Sequence, residues 1–362
     1  MVNLKPVKGI SGTLAAAVLG VNPWKSPLAA YNEIFGLSHE EEREAMRWGS
    51  RLEPLIAREY QERTGAILWP HTDFGLDHRY PLRHREINWW TGTPDRLIIH
   101  DPKYLIDPDL DGERARAAME EILADPAFWA QVERGWEGKT AGPRMAQFWG
   151  EEDSDEIPEI YLIQSSWYLG LVRSYNPEIT NWDVSVLIGG QQFRTYQVRY
   201  NEKLAQAMAA RAAEFWQNHI LTRTPPPPSA DPAWQEYFKK FFPQENLPLA
   251  EASQQEQSLF IQLWEAHQQL DTWQERYETL ANALKLCIGD RAGIQGTIDN
   301  LSWKLTWKKT KDTQKVDWKA VVDELCQRIP DMEGTIRDII EAHTTTIPGA
   351  RRFLPSWPKE TK

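Results

Sequence analysis

The 362-residue chain has only two cysteines, Cys287 and Cys326. They cannot build a disulfide framework or a cysteine-rich zinc site. There is no apolar run of about eighteen residues, so no membrane-spanning helix and no membrane partner are expected. The short apolar stretch Leu14 to Leu19 is too brief and too poorly flanked for a secretory signal. The expectation is a soluble, cytoplasmic protein. Excess positive charge is missing too, since the net charge is −11. That disfavours a protein that coats nucleic acid nonspecifically, but a DNA enzyme needs only a local basic path. Several catalytic signatures are also lacking. There is no Gly-x-Ser-x-Gly elbow. Gly135 and Gly138 are too close together for a phosphate-cradling loop. Asp107 to Gly112 imitates the start of a calcium loop, but Ala118 stands where that loop needs glutamate. His71, His78 and His84 lack metal-ligand spacing.

Tryptophan, by contrast, is abundant, at 18 residues, and most should anchor the core or an interface. Residues 1–222 read as one α/β domain. Ser11 caps a short helix that Gly20 closes. Ser38 and Glu41 form a capping box that opens a long helix through Glu62, ended by Gly65. Strands are expected at Ala66 to Trp69, within Trp89 to Ile99, and within Gln131 to Thr140. A charged insert, 101–134, separates the last two. Ile160 to Val172 reads as a helix. Trp182 to Ile188 and Phe193 to Tyr200 read as a hairpin turning at Gly189-Gly190. Glu202 to Ile220 reads as an amphipathic helix.

Residues 223–250, with four prolines at Pro225 to Pro228, read as a stiff linker. Residues 251–362 form a different region. Leu263, Ala266, Leu270, Trp273, Tyr277 and Leu280 alternate spacings of three and four. Glu251 to Cys287 should therefore be one long helix with a coiled-coil seam, packed on another helix or another subunit. A basic, aromatic β-containing segment follows.

Two short segments carry the chemistry. In Thr93-Pro94-Asp95-Arg96 a carboxylate stands at a proline bend beside a β-forming run. In Glu137-Gly138-Lys139 the carboxylate and the amine share one strand face. Asp95 and Glu137 on neighbouring strands could share a Mg²⁺ ion, which takes carboxylate oxygens and keeps several waters. Lys139 beside them could orient a water, which makes a phosphodiester hydrolysis site. Glu53 lies between Gly49 and Ala57 on its helix face, small neighbours that leave it open. Gln164 is a lone amide on a core face and needs a partner. Alone, each residue has an ordinary explanation as a turn residue, a solvated face or a satisfied core amide.

Taken in order, Trp48-Gly49-Ser50-Arg51-Leu52-Glu53-Pro54, Thr93-Pro94-Asp95, Glu137-Gly138-Lys139-Thr140 and Tyr161-Leu162-Ile163-Gln164 resemble the YqaJ-type viral recombinases. These are relatives of lambda exonuclease among the PD-(D/E)xK nucleases. The resemblance spans roughly residues 5–222 and includes Gly9-Ile10-Ser11-Gly12 and Gly20-Val21-Asn22-Pro23-Trp24. It implies an α/β, restriction-endonuclease-like core, a mixed central sheet flanked by helices, with a helical coiled-coil and small β extension after it. It implies Asp95, Glu137 and the Gly138 carbonyl as ligands of Mg²⁺, with Mn²⁺ as substitute, and Glu53 joining through water. Lys139 would position or activate the attacking water, and Gln164 would hold the site or touch DNA. The implied activity is 5′-to-3′ degradation of one strand at double-stranded DNA ends. The implied partners are a single-strand annealing protein of a phage or prophage and further copies of the chain in a ring. One departure stands out. Asp95 and Glu137 are 42 positions apart, so the insert should loop out.

Ser11, Lys8 and Lys25 are candidates for a DNA 5′-phosphate. Trp307, Lys308, Lys309, Arg351 and Arg352 are candidates for a DNA-binding tail, and an amphipathic sheet with a solvated lysine face is the favoured reading of that segment. Two alternatives stay open: a catalytically inactive DNA-binding or assembly protein, and a metal-dependent endonuclease.

Overall fold

The structure is a computed structural model that describes residues 5–37, 44–70, 81–107, 109–110, 112–298, 301–309, 317–329 and 333–344. The chain divides into two compact units, Met1–Phe242 and Pro243–Lys362.

The first unit opens with α1 (Gly12–Val18), where the Ser11 hydroxyl accepts the Leu14 amide as the sequence predicts. Helix α2 (Pro27–Ile34) has Ser26 as its cap and proline in its first turn. Helix α3 (Glu44–Thr64) follows and ends at Gly65, whose φ of +71° suits glycine. The expected capping pair, Ser38 and Glu41, lies outside the described residues. Then come β1 (Ile67–Trp69), β2 (Leu82–Arg83), β3 (Thr91–Gly92) and β4 (Arg96–Ile99). The range expected to hold a strand, Trp89 to Ile99, holds two, separated at Thr93 to Asp95. The first pairs with β2, the second with the main sheet.

The insert holds α4 (Gly112–Ala124) and α5 (Pro126–Trp129). It does not simply loop out. Ile106, Phe128 and Trp129 are buried in the main core, and the Phe128 ring packs 4.7 Å from Trp69. Two adjacent aromatics at the end of a charged insert provide enough apolar area to fasten it down.

The chain returns as β5 (Val132–Ala141), α6 (Glu159–Arg173), β6 (Asn181–Ile188), β7 (Gln192–Arg199) and α7 (Glu202–Phe215). Helix α7 runs on as a π-helical turn, Trp216–Leu221. The β6–β7 turn uses Gly189 and Gly190, both at positive φ. The sheet order is β1-β4-β5-β6-β7. Strands β5 and β6 are parallel, joined through α6, and the other neighbours are antiparallel. This is the mixed α/β core that the sequence implies.

Helix α3 covers one face, where Ile56, Ala57 and Tyr60 meet Leu68, Ile98 and Trp136. Helices α1, α6 and α7 pack with one another in the larger core, which contains Trp167 and Trp182. Trp69, Trp136, Trp167 and Trp182 are all fully buried. On the α3 face a buried polar knot crosses the sheet. Tyr60 donates to Asp183 at 2.5 Å and Arg134 pairs with the same carboxylate at 2.8 Å.

The sequence ends this domain at residue 222 and reads 223–250 as linker. In the structure the first unit continues past the prolines into α8 (Ala233–Phe241). Trp234 is buried, and Asn32 of α2 donates to the Ala233 carbonyl at 3.1 Å. Within the second unit, α9 (Gln254–Ile288) is a single helix, opened by a capping box of Ser253 and Glu256. The hairpin β8 (Gly293–Ile298) and β9 (Leu301–Thr306) follows, then α10 (Trp318–Arg328) and α11 (Glu333–Ala342). Among the described residues no helix is long and apolar enough to cross a membrane.

Candidate active site

Four elements of the first unit bring the expected residues together. Asp95 stands at the bend just before β4. Thr93 and Pro94 break the strand there, and proline has no amide for a ladder. Strand β4 begins at Arg96, which pairs with Trp136, so it leaves the edge of β5 beyond Trp136 uncovered. The Asp95 side chain occupies that edge and accepts the Gly138 amide at 2.9 Å. In return the Asp95 amide approaches a Glu137 carboxylate oxygen at 3.3 Å. The two acidic residues thus brace each other across the split. An amide and carbonyl of one strand residue point to the same edge, so the Gly138 carbonyl also faces the Asp95 side.

Strand alternation distributes the rest. Glu137 and Lys139 lie on the α6 face of β5, as their spacing predicts. The Lys139 amine contacts Glu137 Oε1 at 2.7 Å. The same oxygen accepts Gln164 Nε2 of α6 at 2.8 Å, so the lone core amide has the partner it needed. Gly138 and Thr140 face α3. A side chain at Gly138 would come within 3.4 Å of Glu53 Cγ, and Gly49 passes Thr140 closely. Glycine at both positions lets α3 lie near enough to bring Glu53 to the site. Glu53 does not stand open, however. Its carboxylate accepts Arg96 Nη1 at 2.7 Å.

Arg96 is one of two residues that sequence reasoning missed. It is fully buried and also donates to the Asp95 carbonyl at 2.7 Å. An arginine inside the apolar run Leu97-Ile98-Ile99 was the available signal. The other is Tyr168, one helical turn beyond Gln164. Its hydroxyl accepts Gln164 Nε2 at 3.2 Å, and its ring fills the space that side chains at Gly12 and Gly92 would occupy. Tyr168 thereby ties the start of α1, the β3 strand and the glutamine into one packed layer.

Electrostatics mark the cluster as strained by like charge. Burial pushes the Glu137 carboxyl up to about 8, with Asp95 adding to the rise and Lys139 opposing it. Glu53 is also raised, by burial first and Asp95 second, against the pull of Arg96. Burial would lower the Lys139 amine, but Glu137 and Asp95 outweigh it and keep it charged. The Tyr161 ring sits 5.2 Å from that amine, a favourable cation–π position.

A divalent cation would relieve the crowded carboxylates, so the donor set fits one. Among the described residues no group of three acidic, histidine or cysteine side chains could hold an ion by itself. The set is instead two carboxylates and a carbonyl, Asp95, Glu137 and Gly138, with Glu53 held back by Arg96. Few protein ligands and several waters suit Mg²⁺.

The remaining candidates do not join this cluster. Lys8 and Lys25 converge on Glu33 at 2.5 and 2.6 Å. They clamp a carboxylate, so the structure does not hold them ready for a phosphate. Ser11 is occupied as a helix cap and lies 3.0 Å from the Thr13 hydroxyl. Lys308 and Lys309 are exposed, and Trp307 is half exposed beyond β9. Arg351 and Arg352 lie outside the described residues.

Residues 7–172 match the sequence profile of the YqaJ-like viral recombinase domain. Glu53, Asp95, Glu137, Lys139 and Gln164 all fall inside the matched span. The chain is 27% identical over 320 residues to the uncharacterized protein YqaJ of Bacillus subtilis (strain 168), covering 88% of this chain and 85% of that protein. Among solved structures, an alkaline exonuclease from Laribacter hongkongensis aligns at 12% identity and a TM-score of 0.36, covering 59% of this chain and 92% of that one. A phage related exonuclease from Haemophilus somnus 129PT aligns at 12% identity and 0.36, covering 60% and 97%.

Proposed function

We propose that the chain is a Mg²⁺-dependent deoxyribonuclease that resects double-stranded DNA ends, 5′ to 3′, with Mn²⁺ as a substitute. The observation that carries this is the mutual brace of Asp95 and Glu137, with Lys139 and Gln164 both on Glu137 Oε1. Asp95, Glu137 and the Gly138 carbonyl would hold the ion. Bound there, it would polarise the phosphate and stabilise the attacking and leaving oxygens. Lys139, in contact with Glu137, would position or activate the attacking water. Gln164 holds Glu137 in place, and Tyr168 holds Gln164. Arg96 sets Glu53 beside the site, where it would join a bound ion through water.

The viral recombinase domain supports a role in recombination. The single-stranded tails left by resection would feed a single-strand annealing protein, in the cytoplasm of a bacterium carrying the phage or prophage. Several copies in a ring would keep the enzyme on one duplex.

The test is a linear duplex labelled at either the 5′ or the 3′ end, beside a closed circular duplex, with Mg²⁺ and with EDTA. Early release of 5′ label, an intact circle and no action in EDTA are expected. Cutting of the circle would replace this reading with an endonuclease. DNA retention without cleavage under any divalent ion would replace it with an inactive binding protein.

A further inference from the structure

Pairs of opposite charge flank Asp95 on both faces of the sheet. On the α6 face Lys139 contacts Glu137 at 2.7 Å. On the α3 face, Arg96 stands opposite Trp136 in the strand register and contacts Glu53 at 2.7 Å. The two cations differ in what can reach them. The Lys139 side chain keeps 16% of its surface exposed, whereas that of Arg96 keeps none. The Arg96 nitrogen that meets Glu53 also donates to the Asp95 carbonyl at 2.7 Å. Arg96 is thus fixed on the Asp95 backbone with its charge on Glu53.

Packing alone does not account for an arginine here. A buried ion pair is often no better for stability than apolar side chains of similar size. Its effect on the charge of the site is larger. With every group ionised, Asp95, Glu137 and Glu53 outnumber Lys139 and Arg96 by a single negative charge. Without Arg96 that excess would double, and Glu53 would become a third carboxylate free to bind. Mg²⁺ is usually held by one or two carboxylates, its other positions going to water and substrate phosphates. A third carboxylate would take one of those positions.

We propose that Arg96 is a positioning residue that occupies Glu53 and limits the site to two carboxylate ligands, which weakens cation binding and keeps coordination positions open to water and phosphate. The proposal rests on the metal reading of Asp95 and Glu137 given above.

Mn²⁺ binding without DNA tests it, read as the EPR signal of the free ion during titration. The chains compared are the wild type, Glu53→Gln, Arg96→Met, the two changes combined, and Asp95→Asn. Glu53→Gln keeps an oxygen that can accept from Arg96 but removes the charge, so it should bind about tenfold more weakly than the wild type. The combined variant removes both charges, leaves neither buried without its partner, and should regain wild-type affinity. Arg96→Met alone frees Glu53 and should bind about tenfold more tightly than the wild type. A merely structural arginine predicts the opposite sign, because its loss would weaken binding with either residue at position 53. The combined variant against Glu53→Gln decides the matter even where Arg96→Met alone fails to fold. A combined variant no tighter than Glu53→Gln, or a Glu53→Gln chain as tight as the wild type, overturns the role of Arg96 and leaves the metal site standing. Wild-type binding that Asp95→Asn leaves unchanged overturns the metal site, and the proposal with it.

Discussion

The two units treat apolar surface in opposite ways. In Met1–Phe242 many large rings are inside, and some of their polar atoms reach partners on neighbouring elements. Trp136 is fully buried and donates to Ser185 at 3.0 Å, and Trp167 donates to the Thr91 carbonyl at 2.9 Å. Among the described residues of Pro243–Lys362 the apolar pattern is present, but only Ile288 is buried. The apolar side chains of α9 face solvent, as do Ile298 on β8, Val321 and Leu325 on α10, and Ile339 and Ile340 on α11. A two-stranded hairpin such as β8–β9 is marginal by itself. Among the described residues the first unit has an extensive core of its own, whereas the second leaves most of its large apolar side chains exposed. Chemistry that needs residues fixed within hydrogen-bonding distance belongs in the first kind of unit.

The largest test of this contrast is catalytic. Lys139→Ala should lower the rate on linear duplex by about 10²–10³, since it removes one preorganised donor from a buried site. Circular dichroism should show the fold retained. Next comes the polar knot under the sheet. Asp183→Ala removes the buried acceptor of Tyr60 and one of the two carboxylates on Arg134, and should cost about 1–3 kcal/mol, read by urea denaturation. Gly92→Ala drives a methyl group into the Tyr168 ring, 2.6 Å from where the new carbon would sit. It should cost about 1–3 kcal/mol. It should also lower activity, because Tyr168 holds Gln164.

Smaller still is the Glu33 clamp. Burial would raise this carboxyl, but Lys25 and Lys8 outweigh it and the net shift is downward. Stability from a depressed carboxylate is present above its unfolded value and is lost as pH falls through the folded one. Glu33→Gln should therefore lose under about 1 kcal/mol near neutral pH and flatten the acid limb of a Tm-against-pH curve. At the far end, Leu270→Lys should leave the melting of the first unit unchanged. A large loss there would contradict the separation drawn between the two units.

The site was legible because its elements are short and strongly patterned. Glu137 and Lys139 share a face through strand alternation alone, and the demand of Gln164 for a partner follows from its apolar neighbours. The hairpin at Gly189-Gly190 and helix α6 follow from periodicity in the same way. What the sequence hid was the third dimension. Arg96 looks like an interruption of an apolar run until Glu53 and the Asp95 carbonyl are seen around it. Within Trp89 to Ile99 the proline bend marks a break without showing that the segments on its two sides join different sheets. The charged insert looks expendable until Phe128 and Trp129 are found in the core. On β9, Trp303 and Leu305 share one side of the hairpin and Lys304 lies on the other, since register sets Gly296 and Ile294 opposite the first pair.

The central claim is that Asp95 and Glu137 brace each other to hold a divalent ion beside Lys139. It is tested most directly by following linear duplex DNA with the wild-type chain and with Asp95→Asn, each in Mg²⁺ and in EDTA. Asp95→Asn keeps the shape of the side chain, and its amide oxygen can still accept from Gly138. The account predicts rapid degradation only by the wild-type chain in Mg²⁺, with the variant as slow as either protein in EDTA. Equal degradation by the variant, or by the wild-type chain in EDTA, would contradict it.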